Sequence, residues 1–356
     1  MSELAKWSSH ALHYKEALAY MKGKQNGTIT SFKTPWQKFN DATMQGLEFN
    51  TITLIGARPA SGKTLLVDQI VREGFELNPG MNLRVLQFQL EMFGRTSKLR
   101  EFSAVAKRSY KNLCSSEFEG QVIEDHVIAM CHQYAINAAK YPIDIVDEAC
   151  SVEGFKLIIE EYMHAHASTV EKQVKTKDGH IKTVTKNVFT NTVITLDHSV
   201  LIKKVKTEAS KQDMLANLGE ACTELKKKYP IAFILLTQLN RETDRPERNE
   251  DGKYGNYILE SDIYGGDGLL QHADIVVGIN KPAKRNIKIY GPERYLITDP
   301  DTLVFHWIKS RNGDTGLSFF KAEFHHMKIG EMPTPPQDQG SGGNGTPIGT
   351  KNYSKT

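Results

Sequence analysis

The sequence predicts an α/β protein: a doubly wound, mostly parallel twisted sheet flanked by helices. Three observations carry that expectation. Short apolar runs of strand length recur along the chain, helical stretches separate them, and one strand–helix junction holds a glycine-bearing turn ending in Lys-Thr. Strands that alternate with helices imply parallel crossover units. Runs without polar interruption suit strands buried on both faces.

The runs are Thr51-Ile52-Thr53-Leu54-Ile55, Arg84-Val85-Leu86-Gln87-Phe88, Thr192-Val193-Ile194-Thr195-Leu196, Ile231-Ala232-Phe233-Ile234-Leu235-Leu236 and Asp274-Ile275-Val276-Val277-Gly278-Ile279. Leu65 to Phe75 continues the first turn as a helix, and 152–168 and 212–228 are further helical stretches. Ahead of them, residues 1–25 read as an amphipathic helix with Ala11, Leu12, Ala17, Leu18 and Met21 at helical spacing. Gln25-Asn26-Gly27 breaks it. Its apolar face must be covered by its own domain or by a neighbouring subunit. Residues 170–190 alternate apolar and basic residues about Asp178-Gly179, which predicts a lysine-rich hairpin inserted before the third strand. From Glu331 onward Pro, Gly and polar residues dominate, so 331–356 is expected to be a disordered tail. The expected organisation is a linker-like helix over 1–27, one domain over 28–330, and that tail.

Composition narrows the function classes. With 356 residues, 39% apolar and 24% charged, the chain has the make-up of a globular protein with a sizeable core. A formal charge of +3 is too small to demand nucleic acid by itself, so that case rests on local clusters. Cys114, Cys131, Cys150 and Cys222 form no C-x-x-C pair, which argues against a zinc ribbon or a disulfide framework and suits a reducing compartment. No run approaches the roughly 18 apolar residues of a membrane span, and the N-terminus lacks the pattern of a secretory signal. A cytoplasmic location is expected.

The strongest chemical signal is Gly56-Ala57-Arg58-Pro59-Ala60-Ser61-Gly62-Lys63-Thr64, set between a strand and a helix. Small residues let backbone N–H groups close around phosphates, and the helix N-terminus adds a favourable dipole. Lys63 is expected at the β- and γ-phosphates of ATP and the Thr64 hydroxyl on Mg²⁺. Ala57 stands where the usual pattern has glycine, and Gly56 is one place early. A second acidic ligand is needed, and Asp197 ends an apolar strand at the place for it; a turn or helix-capping role is the alternative. Glu91, just after another strand, is placed to orient the attacking water; it also fits a helix cap.

Together these residues resemble the ATPase domain of DnaB-type replicative helicases over roughly residues 28–330, a RecA-like P-loop NTPase fold. Ala57-Arg58-Pro59-Ala60-Ser61-Gly62-Lys63-Thr64 is similar to that family's Ala-Arg-Pro-bearing Walker A loop. Gln89-Leu90-Glu91-Met92 resembles its Ser-Leu-Glu-Met motif, which implies Glu91 as catalytic base, and Leu196-Asp197-His198 its Walker B strand end. Thr237-Gln238-Leu239-Asn240-Arg241 resembles Ser-Gln-Leu-Asn-Arg, implying that Gln238 senses the γ-phosphate. Ser261-Asp262 and Gln271-His272-Ala273-Asp274 are like the family's Ser-Asp-Leu…Gln-Asp-Ala-Asp segment. Lys309-Ser310-Arg311-Asn312-Gly313 resembles its Lys-x-Arg-Asn-Gly signature, implying that Lys309 and Arg311 reach a neighbour's ATP.

The resemblance implies a hexameric ring that moves 5′ to 3′ on single-stranded DNA in replication, with a primase or helicase loader as a further partner. The candidate DNA contacts are Lys203, Lys204, Lys206 and Lys211 after the third strand, and the loop with Tyr264, Gly265 and Gly266. A solvated helix face is the other reading of those lysines. The family's DNA-holding arginine is absent from Ile263-Tyr264-Gly265-Gly266-Asp267-Gly268, though glycine-loop N–H groups also bind phosphate. About 27 residues precede the motor, so the family's N-terminal primase-interacting domain is expected to be missing, as in a phage or mobile-element version. That absence and the missing arginine favour an alternative, a RecA-like ATPase that remodels or loads proteins on nucleic acid. A nucleotide kinase fits less well, for want of a lid-like arginine cluster.

Overall fold

The computed structural model describes residues 7–115, 122–175, 181–252 and 256–338. Among them the elements follow in the order α1 (His10–Gln25), α2 (Gln37–Ala42), β1 (Thr51–Ala57), α3 (Lys63–Leu77), β2 (Leu83–Gln89), α4 (Gly94–Ala106), α5 (Tyr110–Cys114), α6 (Asp125–Ala138), β3 (Ile143–Val146) and α7 (Val152–Ala165). The hairpin strands β4 (Ser168–Lys175) and β5 (Ile181–Val188) come next, then β6 (Asn191–Asp197), α8 (Lys211–Lys228), β7 (Ile231–Gln238), α9 (Gly266–His272) and β8 (Ile275–Asn280). The chain closes with β9 (Ile289–Tyr290), β10 (Tyr295–Leu296), β11 (Thr302–Ser310), β12 (Gly316–Glu323) and β13 (Lys328–Glu331).

One sheet of nine strands organises the molecule, in the order β13-β12-β11-β8-β1-β7-β6-β2-β3. From β8 to β3 every neighbouring pair is parallel. Strands β11, β12 and β13 extend it as an antiparallel edge. The five apolar runs are β1, β2, β6, β7 and β8. Their side chains alternate between two cores: Ile55 and Ala57 of β1 pack with α2 and α3, while Ile52 and Leu54 pack with α7 and α8. Burial on both faces is why these strands lack the polar alternation of a half-exposed sheet. Strand β3 and the edge β11–β13 were not among the expected strands.

Three outlying segments differ in how they attach. Helix α1 starts at a Ser9 cap and keeps Leu12, Leu18 and Met21 exposed, but Leu12 and Met21 fall on opposite sides of the helix, so the expected amphipathic face does not form. It is moored by polar contacts instead: Tyr20 donates to Glu48 at 2.5 Å, and Lys24 pairs with Glu48 at 2.9 Å. The inserted hairpin forms, with Ser168 opposite Val188 and Lys175 opposite Ile181; its turn at Asp178-Gly179 lies outside the described residues. The tail departs from its expected disorder over its first residues. Leu296 N–H donates to the Pro336 carbonyl at 2.8 Å, and Asp338 N–H to the Arg294 carbonyl at 2.8 Å. A proline-rich strip needs no core of its own when a neighbouring strand supplies backbone partners. Residues 339–356 lie outside the described residues.

The long connection from β7 to α9 is held by a buried ion pair. Arg248 grips Asp262 with both guanidinium arms, at 2.5 and 2.8 Å, and the Asp262 side chain is only 3% exposed. Arg248→Ala leaves that carboxylate buried without its counter-ion, and a loss of about 3–5 kcal/mol of unfolding free energy is expected in a denaturant titration. A change below about 1 kcal/mol would mean that Asp262 rehydrates or takes up a proton at little cost.

Candidate nucleotide site and its surroundings

All parallel strands deliver their C-terminal ends to one edge of the sheet, the edge where doubly wound folds bind ligands. There β1 gives way to the loop Arg58–Gly62 and then α3. The loop is shaped by two left-handed residues, Ala60 at φ 55° and Gly62 at φ 86°, the latter capping α3. The early glycine also has a local reason. A Cβ on Gly56 would sit 2.6 Å from Ile263 Cδ1 and 3.1 Å from Leu239 Cδ2, so these side-chain ends would have to shift, whereas Ala57 is accommodated with no exposure.

Lys63 is 8% exposed and donates to the Thr237 carbonyl at 3.1 Å. Burial pulls its pKa below the usual lysine value, with Asp197 and Glu91 pulling the other way. Thr64 Oγ1 donates to Asp197 Oδ2 at 2.6 Å, which joins the loop to the end of β6. The other carboxylate oxygen, Asp197 Oδ1, is buried and has no partner. Burial raises the Asp197 pKa, against the Thr64 hydrogen bond. A buried, unpaired carboxylate oxygen beside a threonine hydroxyl is a hard-oxygen donor set, and it fits Mg²⁺.

Not every loop residue points at the phosphate position. Arg58 donates to the Leu239 carbonyl at 3.0 Å and pairs with Asp244 at 2.6 Å, so it pins the chain that follows β7. Lys284 reaches the same loop from outside, donating to the Pro59 carbonyl at 2.8 Å.

Glu91 stands after β2 with its side chain about half exposed, and its Oε2 is 3.7 Å from His198 Nε2. His198 Nε2 is also 3.4 Å from the Gln238 side-chain nitrogen. This line of Glu91, His198 and Gln238 crosses the ends of β2, β6 and β7. Burial first, and then Lys63, lower the His198 pKa, with Glu91 pulling the other way. The sequence motif assigns His198 no role, because its neighbours become evident only in space. Asp68 was missed altogether. It lies on α3 with Oδ2 buried and unpartnered, and burial pushes its pKa up to about 7.

Of the candidate DNA-contacting segments, the glycine-rich loop attaches directly to Gln238. Tyr264 N–H donates to the Gln238 carbonyl at 2.9 Å, which ties the glycine-rich loop to the end of β7. Gly265 has φ 74° and Gly266 begins α9. A Cβ on Gly265 would lie 2.1 Å from Leu215 Cδ1, so the loop is pressed onto α8. Lys203 and Lys206 are exposed. Lys204 folds back on the Glu208 carbonyl at 2.6 Å and Lys211 on the Val200 carbonyl at 2.5 Å.

Lys309 and Arg311 are elsewhere. Strand β11 runs antiparallel to β8, with Ser310 opposite Ile275, so Arg311 lies at the start of the parallel strands. Its N–H donates to the Asp274 carbonyl at 3.0 Å, and its guanidinium is 3.4 Å from the Asp274 carboxylate. Lys309 donates to the Leu270 carbonyl at 2.9 Å. The length of β1 separates this edge from the phosphate loop, about 20 Å at some 3.3 Å per residue.

The sheet order, the phosphate loop and the aspartate at the end of β6 define a RecA-like P-loop ATPase fold. Residues 32–329 match the family model of the DnaB-like helicase C-terminal domain, and the chain belongs to that family. It is 23% identical over 249 residues to the replicative DNA helicases DnaB of two Helicobacter pylori strains, covering 70% of this chain and 43% of each relative. The chain therefore spans less than half the length of those curated relatives. Among solved structures, a DnaB-like replicative helicase studied with its interactions with primase superposes with a TM-score of 0.69 at 15% identity, covering 89% of this chain and 68% of that one. A second solved structure, an ATPase domain, gives a TM-score of 0.68 at 14% identity, covering 90% of this chain and 98% of that one. At those identities the likeness is one of fold. No helix among the described residues is long and apolar enough to cross a membrane.

Proposed function

We propose that the chain is the ATP-hydrolysing motor of a ring-shaped DNA helicase, working in the cytoplasm and moving 5′ to 3′ on single-stranded DNA during replication. The observation that carries this reading is the position of Arg311, at the opposite edge of the sheet from the phosphate loop and fixed there by Asp274. An arginine so placed cannot serve its own nucleotide, but it can serve a neighbour in a head-to-tail ring. Membership of the family supports six copies, and a solved relative's interactions with primase support a primase or loader as partner.

In this reading Lys63 leaves the Thr237 carbonyl to meet the β- and γ-phosphates of ATP. Thr64 and Asp197 hold Mg²⁺, which neutralises charge developing on the phosphate oxygens. Glu91 orients and deprotonates the attacking water, with His198 beside its carboxylate. Gln238 registers the γ-phosphate through its side chain. Through its carbonyl it shifts Tyr264, and with it the loop Tyr264, Gly265 and Gly266 that grips DNA phosphate; Lys203, Lys204, Lys206 and Lys211 supply the charge. The exposed Leu18 and Met21 of α1 are covered by the next subunit.

The test is steady-state ATP hydrolysis with and without single-stranded DNA, alongside separation of a forked duplex. Stimulation with strand separation is expected. Stimulation without strand separation would favour the alternative, an ATPase that remodels or loads proteins on DNA, and no stimulation would sink both.

A further inference from the structure

The cleft beside the phosphate loop holds more buried oxygen than Thr64 and Asp197 account for. Asp68 lies four residues beyond Thr64 on α3, so both side chains project from one face of the helix. The residue is 6% exposed, and its Oδ2 has no hydrogen-bond partner. Gln87 and Gln89, from β2, and Asp197 line the same cleft as Thr64 and Asp68. Each of the three also carries a buried oxygen without a partner: Gln87 Oε1, Gln89 Oε1 and Asp197 Oδ1. Buried polar atoms in folded proteins are paired as a rule, so four unpaired acceptors around one cleft mark a place that receives donors.

The nearby charges do not supply those donors. Glu101 and Asp197 are of the same sign as Asp68; Arg100 and then Lys98 are cations near enough to be felt, but neither closes a hydrogen bond on the unpaired Asp68 oxygen, and Lys98 is paired with Glu101 at 2.5 Å. A hydrated divalent cation does supply them. Such an ion takes hard oxygen ligands and retains several waters, whose hydrogens point outward at surrounding acceptors.

We propose that Asp68 is a second carboxylate of the metal site, holding through water the divalent cation that Thr64 and Asp197 ligate. Gln87 and Gln89 accept from the same shell of water. The proposal rests on reading this cleft as the Mg²⁺–nucleotide site. It adds to that reading a residue one helical turn past the phosphate loop, where the loop's own pattern specifies nothing. Asp68 is a positioning residue, because it acts on the ion through water and touches no reacting atom.

The probe is Mn²⁺, which takes the same oxygen ligands and is read by electron paramagnetic resonance, titrated into the full chain with saturating ADP. Asp68→Asn is nearly isosteric and is expected to weaken Mn²⁺ binding about 10- to 100-fold, the usual effect of removing an outer-shell partner. ADP affinity measured in EDTA should stay unchanged, which a general loss of packing would not allow. Gln87→Met removes one acceptor from a different element, and should weaken Mn²⁺ in the same direction even if the Asp68 variant folds poorly. Wild-type Mn²⁺ affinity in both variants, with binding lost in Asp197→Asn, would overturn the proposal and confine the site to Thr64 and Asp197. A wild-type protein that binds no Mn²⁺ with ADP would overturn the proposal together with the reading of the cleft.

Discussion

Arg311→Ala is expected to lower steady-state ATP hydrolysis about 10³- to 10⁵-fold, the range typical for loss of a positive finger at the transferring phosphate. Nucleotide binding should survive, because Arg311 is bonded to Asp274 at the far edge of the sheet from the phosphate loop of its own chain. The discriminating experiment mixes two dead proteins. Lys63→Ala lacks the phosphate lysine but keeps Arg311; Arg311→Ala is the reverse. In mixed head-to-tail rings about a quarter of the junctions pair an intact loop with an intact arginine, and activity should return at those junctions alone. If each variant stays dead in the mixture, Arg311 serves no neighbour and the ring reading loses its support.

Glu91→Gln is expected to keep nucleotide and metal binding and to cut turnover about 10²- to 10⁴-fold, the usual contribution of a positioned general base. The reasoning is geometric. Glu91 leaves β2 at the same edge as Asp197 and Lys63, and its carboxylate stands 3.7 Å from His198. The glutamine preserves shape and hydrogen bonding while removing the proton acceptor. Single-turnover hydrolysis after pre-binding ATP separates the two effects, since a defect in binding would appear as lost occupancy and a lost base as a slow step with full occupancy. Turnover within about threefold of wild type would assign the water to another group, with His198 the next residue in line.

Much of this architecture is legible along the chain, for identifiable reasons. Strands β1, β2, β6, β7 and β8 are buried on both faces, so each is a continuous apolar run that stands out without its neighbours. The phosphate loop is equally visible, because backbone shape alone dictates its small residues and the left-handed Gly62. Strand β3 is harder: it has four residues, one of them Asp144, and it is recognisable only from its pairing with β2. The antiparallel edge was missed although Leu303, Val304, Phe305 and Trp307 are all buried, since His306 and Lys309 break the run. Asp68 reads in sequence as an ordinary polar helix position, and His198 as a residue after a strand. Their meaning comes from Gln87, Gln89, Glu91 and Gln238, which arrive from other strands. The glycine displaced to position 56 makes sense only once Ile263 is seen across it.

The resting place of Lys63 has a consequence for the order of events in a cycle. Its ammonium sits on the carbonyl of Thr237, the residue immediately before Gln238. In the proposed cycle an incoming phosphate takes the lysine from that carbonyl, and a departing one gives it back. In that cycle β7, which ends at Gln238, registers arrival and departure by one bond changing hands, ahead of any signal from hydrolysis itself. A motor wired in this way distinguishes an empty subunit from a loaded one before it spends its fuel.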